Sequence, residues 1–158
     1  MSSRKINIWD KHWKKHGKVD VHKTLLNLIE KKSPGKKILE IGFGTGGDLI
    51  ELSKKGFDCF GVETSKTAYN KLRKNKNIHV FLQDGCSTSF NGNYFDLVFH
   101  QGLMEHFRNP DILVSENKRI LKKEGLLIID VPHKWNLFTI RKGILMVMGK
   151  WYGGWETS

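Results

Sequence analysis

The chain has 158 residues, 39% hydrophobic and 27% charged, with 27 Lys and Arg against 16 Asp and Glu for a net charge of +11. That length can bury one domain-sized core, and the composition excludes a disordered or collagen-like chain. Two cysteines, Cys59 and Cys86, exclude a disulfide framework and leave no Cys/His spacing for zinc.

The charge is uneven. Residues 1–37 carry 11 basic and 3 acidic side chains, a net +8, whereas residues 38–158 carry 16 and 13, a net +3. A basic N-terminal segment of this kind attracts phosphate, nucleic acid or an anionic membrane surface, or serves as a solvated lysine-rich face. Its run IWDKHWKKHG places Trp9 and Trp13 four residues apart, a helical spacing. MSSRKINIWDKHWKKHG has no apolar stretch of signal-peptide length, and the apolar run 137–149 is too short to span a bilayer and carries Arg141 and Lys142. A cytoplasmic chain is the expectation.

Apolar residues at 21, 25, 28 and 29 predict a helix over 21–32, stopped by Pro34 and Gly35. KILEI over 37–41 reads as a short buried strand. A helix then runs to Gly56, with lysines in its last turn where the helix dipole favours them. DCFGVE at 58–63 is a second strand and 66–75 a second core helix. Strands follow at 77–83 and 94–100, then a helix over 111–123 and a strand at 125–132. Alternating strands and helices predict a parallel sheet with helices on both faces. Ligands in such sheets bind beyond the carboxyl ends of the strands. The residues to inspect are therefore Gly42 to Gly47, Glu63, Asp84, His100, Gln101 and His133.

Between the first strand and its helix the chain reads LEIGFGTGGDLIE. Gly42, Gly44 and Gly47 fit the dinucleotide fingerprint G-x-G-x-x-G, while Gly42, Gly44 and Gly46 fit G-x-G-x-G. Glu63 ends the second strand, 21 residues after Gly42, where a carboxylate can accept both hydrogens of a ribose diol. Loop and carboxylate together indicate an adenosine cofactor without naming it. Three features discriminate. Glu40, two residues before Gly42, repels a pyrophosphate but attracts a sulfonium and an ammonium. Asp84-Gly85 follows the third strand, where a carboxylate can accept from an adenine amino group. FDLVFHQGLMEHF then supplies a fourth strand and an active-site loop.

These pieces, LEIGFGTG, FGVETS, LQDG, YFDLVFHQGLMEHF and GLLIIDVP in order, resemble the class I S-adenosylmethionine-dependent methyltransferases over at least 95 residues. The resemblance is to the small-molecule group that includes quinone and other lipid-precursor methylating enzymes. It implies an α/β Rossmann-like three-layer sandwich with a mainly parallel sheet, normally of seven strands. The chain ends before a pattern for the last two, so a truncated sheet is expected. The resemblance implies that Gly42, Gly44 and Gly46 let the backbone approach the methionine part of S-adenosylmethionine. It implies that Glu63, with Thr64 beside it, holds the ribose hydroxyls and that Asp84 holds the adenine amino group. Gly85 and Cys86 would line the adenine slot, and His100 and Gln101 the far side of the methionine. S-adenosylhomocysteine would be the product.

Methyl transfer to a neutral oxygen or nitrogen needs a base near the attacking atom. Candidates are Glu105, His106 and His133, with His106 first. Glu105-His106 is also the end of an E-x-x-E-H metal motif, but its first position here is Gly102, so no metal site is expected. Three regions follow: a basic lid over 1–36, a cofactor-binding core over 37–132, and an apolar, aromatic acceptor-side segment over 133–158. Trp135, Trp151, Tyr152 and Trp155 in the last suggest a small apolar or lipid-like acceptor, with peripheral membrane contact as an alternative. A nucleic-acid methyltransferase is less favoured, because no N/D-P-P-Y/F motif follows the fourth strand and the chain reads HQGL. A nicotinamide-dependent oxidoreductase is disfavoured by Glu40. A catalytically idle cofactor-binding domain completes the alternatives.

Overall fold

The computed structural model of the chain describes residues 3–15 and 19–131. Its elements are α1 (Ser3–Lys15), α2 (Lys23–Lys32), β1 (Lys37–Ile41), α3 (Gly47–Lys54), β2 (Asp58–Glu63), α4 (Lys66–Leu72), β3 (Ile78–Leu82), β4 (Phe95–Gln101), α5 (Asp111–Ile120) and β5 (Leu121–Asp130). The five strands are all parallel, in the order β3-β2-β1-β4-β5. Strand order therefore reverses between β1 and β4, and this is the switch point where such sheets open a ligand crevice.

Each strand sends alternate side chains to opposite faces, and β1 shows why two helical layers are needed. Ile38 packs with Leu26 and Ile29 of α2, Leu49 and Leu52 of α3, and Leu72 of α4. Its neighbour Leu39 belongs to the other face, with Leu113 and Ile120 of α5. All are buried, from 0% to 3% exposed, which is why β1 is apolar after Lys37 except at Glu40. The second face is filled largely by rings. Phe60 meets Phe95 edge to face at 5.2 Å, and Phe90 meets Phe95 at 4.9 Å.

One boundary differs from the sequence expectation. The helix predicted over 111–123 ends at Ile120, and β5 begins at Leu121 rather than at residue 125. Leu121 takes an extended conformation and pairs with Phe95, with a register shift before Leu97. Lys122 donates to Asp96 at 2.6 Å, and the same carboxylate accepts the Lys37 N–H at 2.9 Å. These tertiary contacts outweigh the helical preference of LKK. β5 lies at a sheet edge, and Leu126 to Asp130 are only half-buried.

Behind β3, Glu116 of α5 accepts from the Thr88 N–H at 2.8 Å and pairs with Arg119, whose guanidinium also reaches the Phe90 carbonyl at 2.9 Å. Arg119 holds the Glu116 carboxyl down to about 2. This network fastens the 88–90 loop to α5. No helix among the described residues is long and apolar enough to cross a membrane. Residues 133–158, including the apolar acceptor-side segment, lie outside the described residues.

Candidate active site

A cleft of about 1140 Å3 opens over the carboxyl ends of the strands. Its floor is the glycine loop. Gly42 and Gly44 have φ of +77° and +51°, a region that side-chain-bearing residues rarely adopt. The Gly42 N–H donates to the Val62 carbonyl at 2.8 Å, and the Gly44 N–H donates to Glu63 Oε2 at 3.1 Å. The loop is thus tied across to the end of β2. Gly46 shares the positive φ, at +74°, and both Gly46 and Gly47 are also constrained by packing. A Cβ on Gly46 would strike Leu72 of α4, and one on Gly47 would strike the Asp20 carbonyl.

Glu63 is 6% exposed and accepts the Thr64 and Ser65 N–H groups through Oε1, at 2.7 and 2.9 Å. Burial raises its pKa against the pull of these donors. A carboxylate has about four acceptor positions, so Oε2 keeps capacity for a ligand hydroxyl. Glu40 is also 6% exposed, and its Oε2 has no hydrogen-bond partner. Burial, then the charges of Asp48 and Glu63, push its pKa well above the ordinary carboxylate value. An unpaired buried carboxylate facing a cleft is costly and awaits a cationic or donor group.

Asp84 accepts the Cys86 N–H at 3.0 Å in the turn after β3 and lines the cleft with Gly85. A Cβ on Gly85 would strike Ile41, so the turn packs directly on the end of β1. On the β4 and β5 side, Gln101 donates to Asp130 Oδ2 at 2.9 Å. Gly102, at φ +57°, turns the chain into the single 3-10 turn Met104–His106, which presents Glu105 and His106 to the cleft.

Sequence expectation and structure part at three residues. His100 does not line the cleft. Alternation along β4 sends Gln101 to the cleft and His100 into the core, fully buried with both ring nitrogens unpartnered, and burial lowers its pKa to about 4. Cys86 turns to a smaller recess with Ser115 and Glu116, and burial pushes its thiol up to about 11. Gly46 lies beneath the loop against α4. Glu40, Gly42, Gly44, Glu63, Thr64, Asp84, Gly85, Gln101, Glu105 and His106 all line the cleft. His133 lies outside the described residues.

Two features escaped the sequence reading. Asp48, at the start of α3, accepts the His22 N–H at 2.8 Å and lies 2.7 Å from His22 Nδ1. It stitches the segment before α2 to the glycine loop, and GGD in the sequence is its only local sign. The second is the pin that holds α1, the segment expected to form a lid. Asp10 accepts from Ser65 Oγ at 2.6 Å and from the Thr67 N–H at 2.9 Å. This brings Trp9 edge to face against His106 at 5.0 Å and lays the Trp13 indole on Gly44.

Residues 39–129 match the family model described as a methyltransferase domain. A ubiquinone biosynthesis O-methyltransferase of Glaesserella parasuis is 28% identical over 131 residues, covering 75% of this chain and 52% of the relative. The chain is similar to the solved phosphoethanolamine N-methyltransferase 2 of Haemonchus contortus, bound to phosphomonomethylethanolamine and S-adenosylhomocysteine. That likeness has a TM-score of 0.57 and 29% identity, over 66% of this chain and 27% of the other. A Thermotoga maritima methyltransferase structure shares the fold at TM-score 0.67 and 21% identity, over 94% of this chain and 69% of the other. The chain spans between 48% and 62% of the length of the first curated relatives it matches.

Proposed function

The chain belongs to the methyltransferase-domain family of class I S-adenosylmethionine-dependent enzymes, and from that premise we propose that its cleft binds S-adenosylmethionine and transfers a methyl group to a small-molecule acceptor. The observation that carries this reading is Glu40: a carboxylate 6% exposed, with Oε2 unpartnered, at the floor of the cleft. Such a group fits a ligand bearing an ammonium and opposes a pyrophosphate. When bound, the cofactor supplies a methyl group on a positively charged sulfur, and the protein supplies orientation and electrostatics.

In this proposal Glu63 and Thr64 hold the ribose hydroxyls, and Asp84 accepts from the adenine amino group beside Gly85. Gly42 and Gly44 allow close backbone approach, while Gly46 keeps the loop seated on α4. Gln101, rather than His100, faces the methionine part. Glu105 and His106 are the candidate bases. Helix α1 acts as a lid carrying Trp9 and Trp13. An apolar acceptor body is supported by Leu103, Phe107 and Val131 in the cleft wall.

Calorimetric titration with S-adenosylhomocysteine, with NADH as control, tests the reading. Micromolar binding of the first and none of the second is expected. Binding of NADH alone, or of neither ligand, would sink it.

A further inference from the structure

Two basic segments far apart in the sequence lie side by side in the fold. Helix α1 rests against α4. Asp10 accepts from Ser65 Oγ and the Thr67 N–H, and Lys71 Nζ donates to the Trp13 carbonyl at 3.2 Å, across 58 residues of chain. On α1, Lys11, Lys14 and Lys15 are exposed. On α4 and the turn after it, Lys66, Lys71, Arg73, Lys74 and Lys76 are exposed. Against these eight cations, three on α1 and five on α4 and its turn, residues 3–15 hold one acid, Asp10, which is the pin, and residues 64–83 hold none. Among the described residues none of the eight forms an ion pair; the Lys and Arg ion pairs fall on Glu30, Glu51, Asp96 and Glu116. The residues outside the described ones hold a single acid, Glu156, against five Lys and Arg, so at most one of the eight charges can be answered from there.

Helical geometry turns these charges outward. Ala68 and Leu72 are the buried positions of α4, and Lys66 and Lys74 each stand two residues from one of them, on the opposite side of the helix. On α1, Trp9 and Trp13 line the cleft. Lys11 stands two residues from both, and Lys15 two residues from Trp13, so the basic stripe is on the outer side. Ile8 shares that stripe, three and seven residues before Lys11 and Lys15, and is 40% exposed. The rings of both helices are engaged: Trp9 with His106, Trp13 on Gly44, His12 with Trp13, and Tyr69 with Arg73. None stands unengaged for a nucleic-acid base to stack on. Seven of the eight cations are lysines, which lack the planar fork that grips paired phosphate oxygens. A lysine-rich face with an exposed isoleucine suits an anionic lipid surface. There lysines act through the surface potential, and an apolar side chain can enter the headgroup layer.

We propose that the outer sides of α1 and α4 form one docking surface for an anionic bilayer, with the lysines at the headgroups and Ile8 entering the interfacial layer. The inner side of α1 carries Trp9 and Trp13, so docking sets the rim of the cleft beside the membrane. Occupation of this face does not depend on what the cleft binds, and its test needs no cofactor.

The test is sedimentation of the full chain with vesicles of phosphatidylcholine alone, and of phosphatidylcholine with about 30% phosphatidylglycerol, at low and raised salt. Partitioning onto the anionic vesicles is expected to exceed that onto the neutral ones at least tenfold, and to fall several-fold as salt rises. The combined variant Lys11→Gln, Lys15→Gln, Lys66→Gln, Lys74→Gln should lower it at least tenfold. The matched variant Lys31→Gln, Lys32→Gln, Lys118→Gln, Lys123→Gln removes the same charge from exposed positions on other elements and should lower it less than threefold. Circular dichroism and melting temperature check that both variants fold. Equal partitioning onto the two vesicle types, indifference to salt, or equal losses in the two variants would overturn the docking surface. So would binding of a duplex RNA without binding of the anionic vesicles.

Discussion

Glu63, the last residue of β2, accepts the Gly44 backbone N–H at 3.1 Å, across 19 residues of chain. One side chain therefore does two things. It fixes the glycine loop from the neighbouring strand, and it keeps acceptor capacity turned to the cleft. The N–H groups of Thr64 and Ser65 hold the same carboxylate from behind. Orientation of a binding group by fixed backbone donors is preorganisation, which spares ordering on ligand binding.

Replacing this group separates the two roles. Glu63→Gln keeps the shape but replaces one acceptor oxygen with an NH2 donor, which cannot accept the Gly44 N–H or a ribose hydroxyl proton. S-adenosylhomocysteine affinity should fall by roughly 10- to 100-fold, the range of one or two charge-assisted hydrogen bonds. Glu63→Ala should lose that affinity and about 1–3 kcal/mol of stability as well, because buried N–H groups lose their acceptor. Calorimetry and thermal denaturation on both variants check this. Unchanged affinity in Glu63→Gln would remove Glu63 from the ligand contacts.

Glu40 predicts a trade between stability and binding. Burial and the neighbouring carboxylates raise its pKa above 4.5, so the folded chain binds that proton more tightly than the unfolded chain. Its contribution to stability is intact below pH 4.5 and is lost as pH rises through the raised value. Glu40→Gln should therefore raise the melting temperature at neutral pH, by about 1 kcal/mol in stability, with the gain shrinking toward pH 4.5. The same variant should bind S-adenosylhomocysteine at least tenfold more weakly. In the wild type, binding should release protons near the raised pKa, which calorimetry in two buffers of different ionisation enthalpy would detect.

Asp10 is the pin of α1. Its carboxylate receives Ser65 Oγ and the Thr67 N–H, and Ser65 Oγ in turn caps α4 by accepting the Ala68 N–H at 3.3 Å. Both bonds fall on Asp10 Oδ1, so Asp10→Asn should weaken the pin only by removing its charge, whereas Asp10→Ala should remove it. Amide exchange in α1 should then speed up at least tenfold, while exchange in β1 and β2 stays unchanged. S-adenosylhomocysteine should dissociate faster if Trp9 and Trp13 cover it. Faster exchange without any change in dissociation rate would rule out the lid role.

The Glu116 network sets an acid limit. Its carboxyl is held at about 2 against an ordinary 4.5, so its contribution is full above pH 4.5 and is lost as pH falls through about 2. At about 1.4 kcal/mol per unit the upper bound is ~3 kcal/mol, reduced by screening because Arg119 is 43% exposed. Arg119→Ala should cost about 1–2 kcal/mol at neutral pH, with the deficit vanishing near pH 2 in a pH series of urea denaturations.

Residues close in sequence carried much of this architecture by themselves. The apolar runs at 37–41 and 58–63 and the glycines between β1 and α3 are local signals, because strand burial and positive φ depend on neighbours a few residues away. They gave the parallel sheet, the crevice above it and the carboxylates Glu40, Glu63 and Asp84. Contacts over long separations could not be read in that way. That Gln101 rather than His100 meets the cleft depends on which face of β4 the tertiary packing turns to the core. That Asp48 holds His22, and Asp10 holds Ser65, depends on where two helices dock. The gathering, among the described residues, of seven carboxylates into one cleft of a chain with net charge +11 was invisible in composition, because charge adds along a sequence without position. Only the folded sheet, by bringing the ends of five strands to one edge, decides which of those charges a ligand meets.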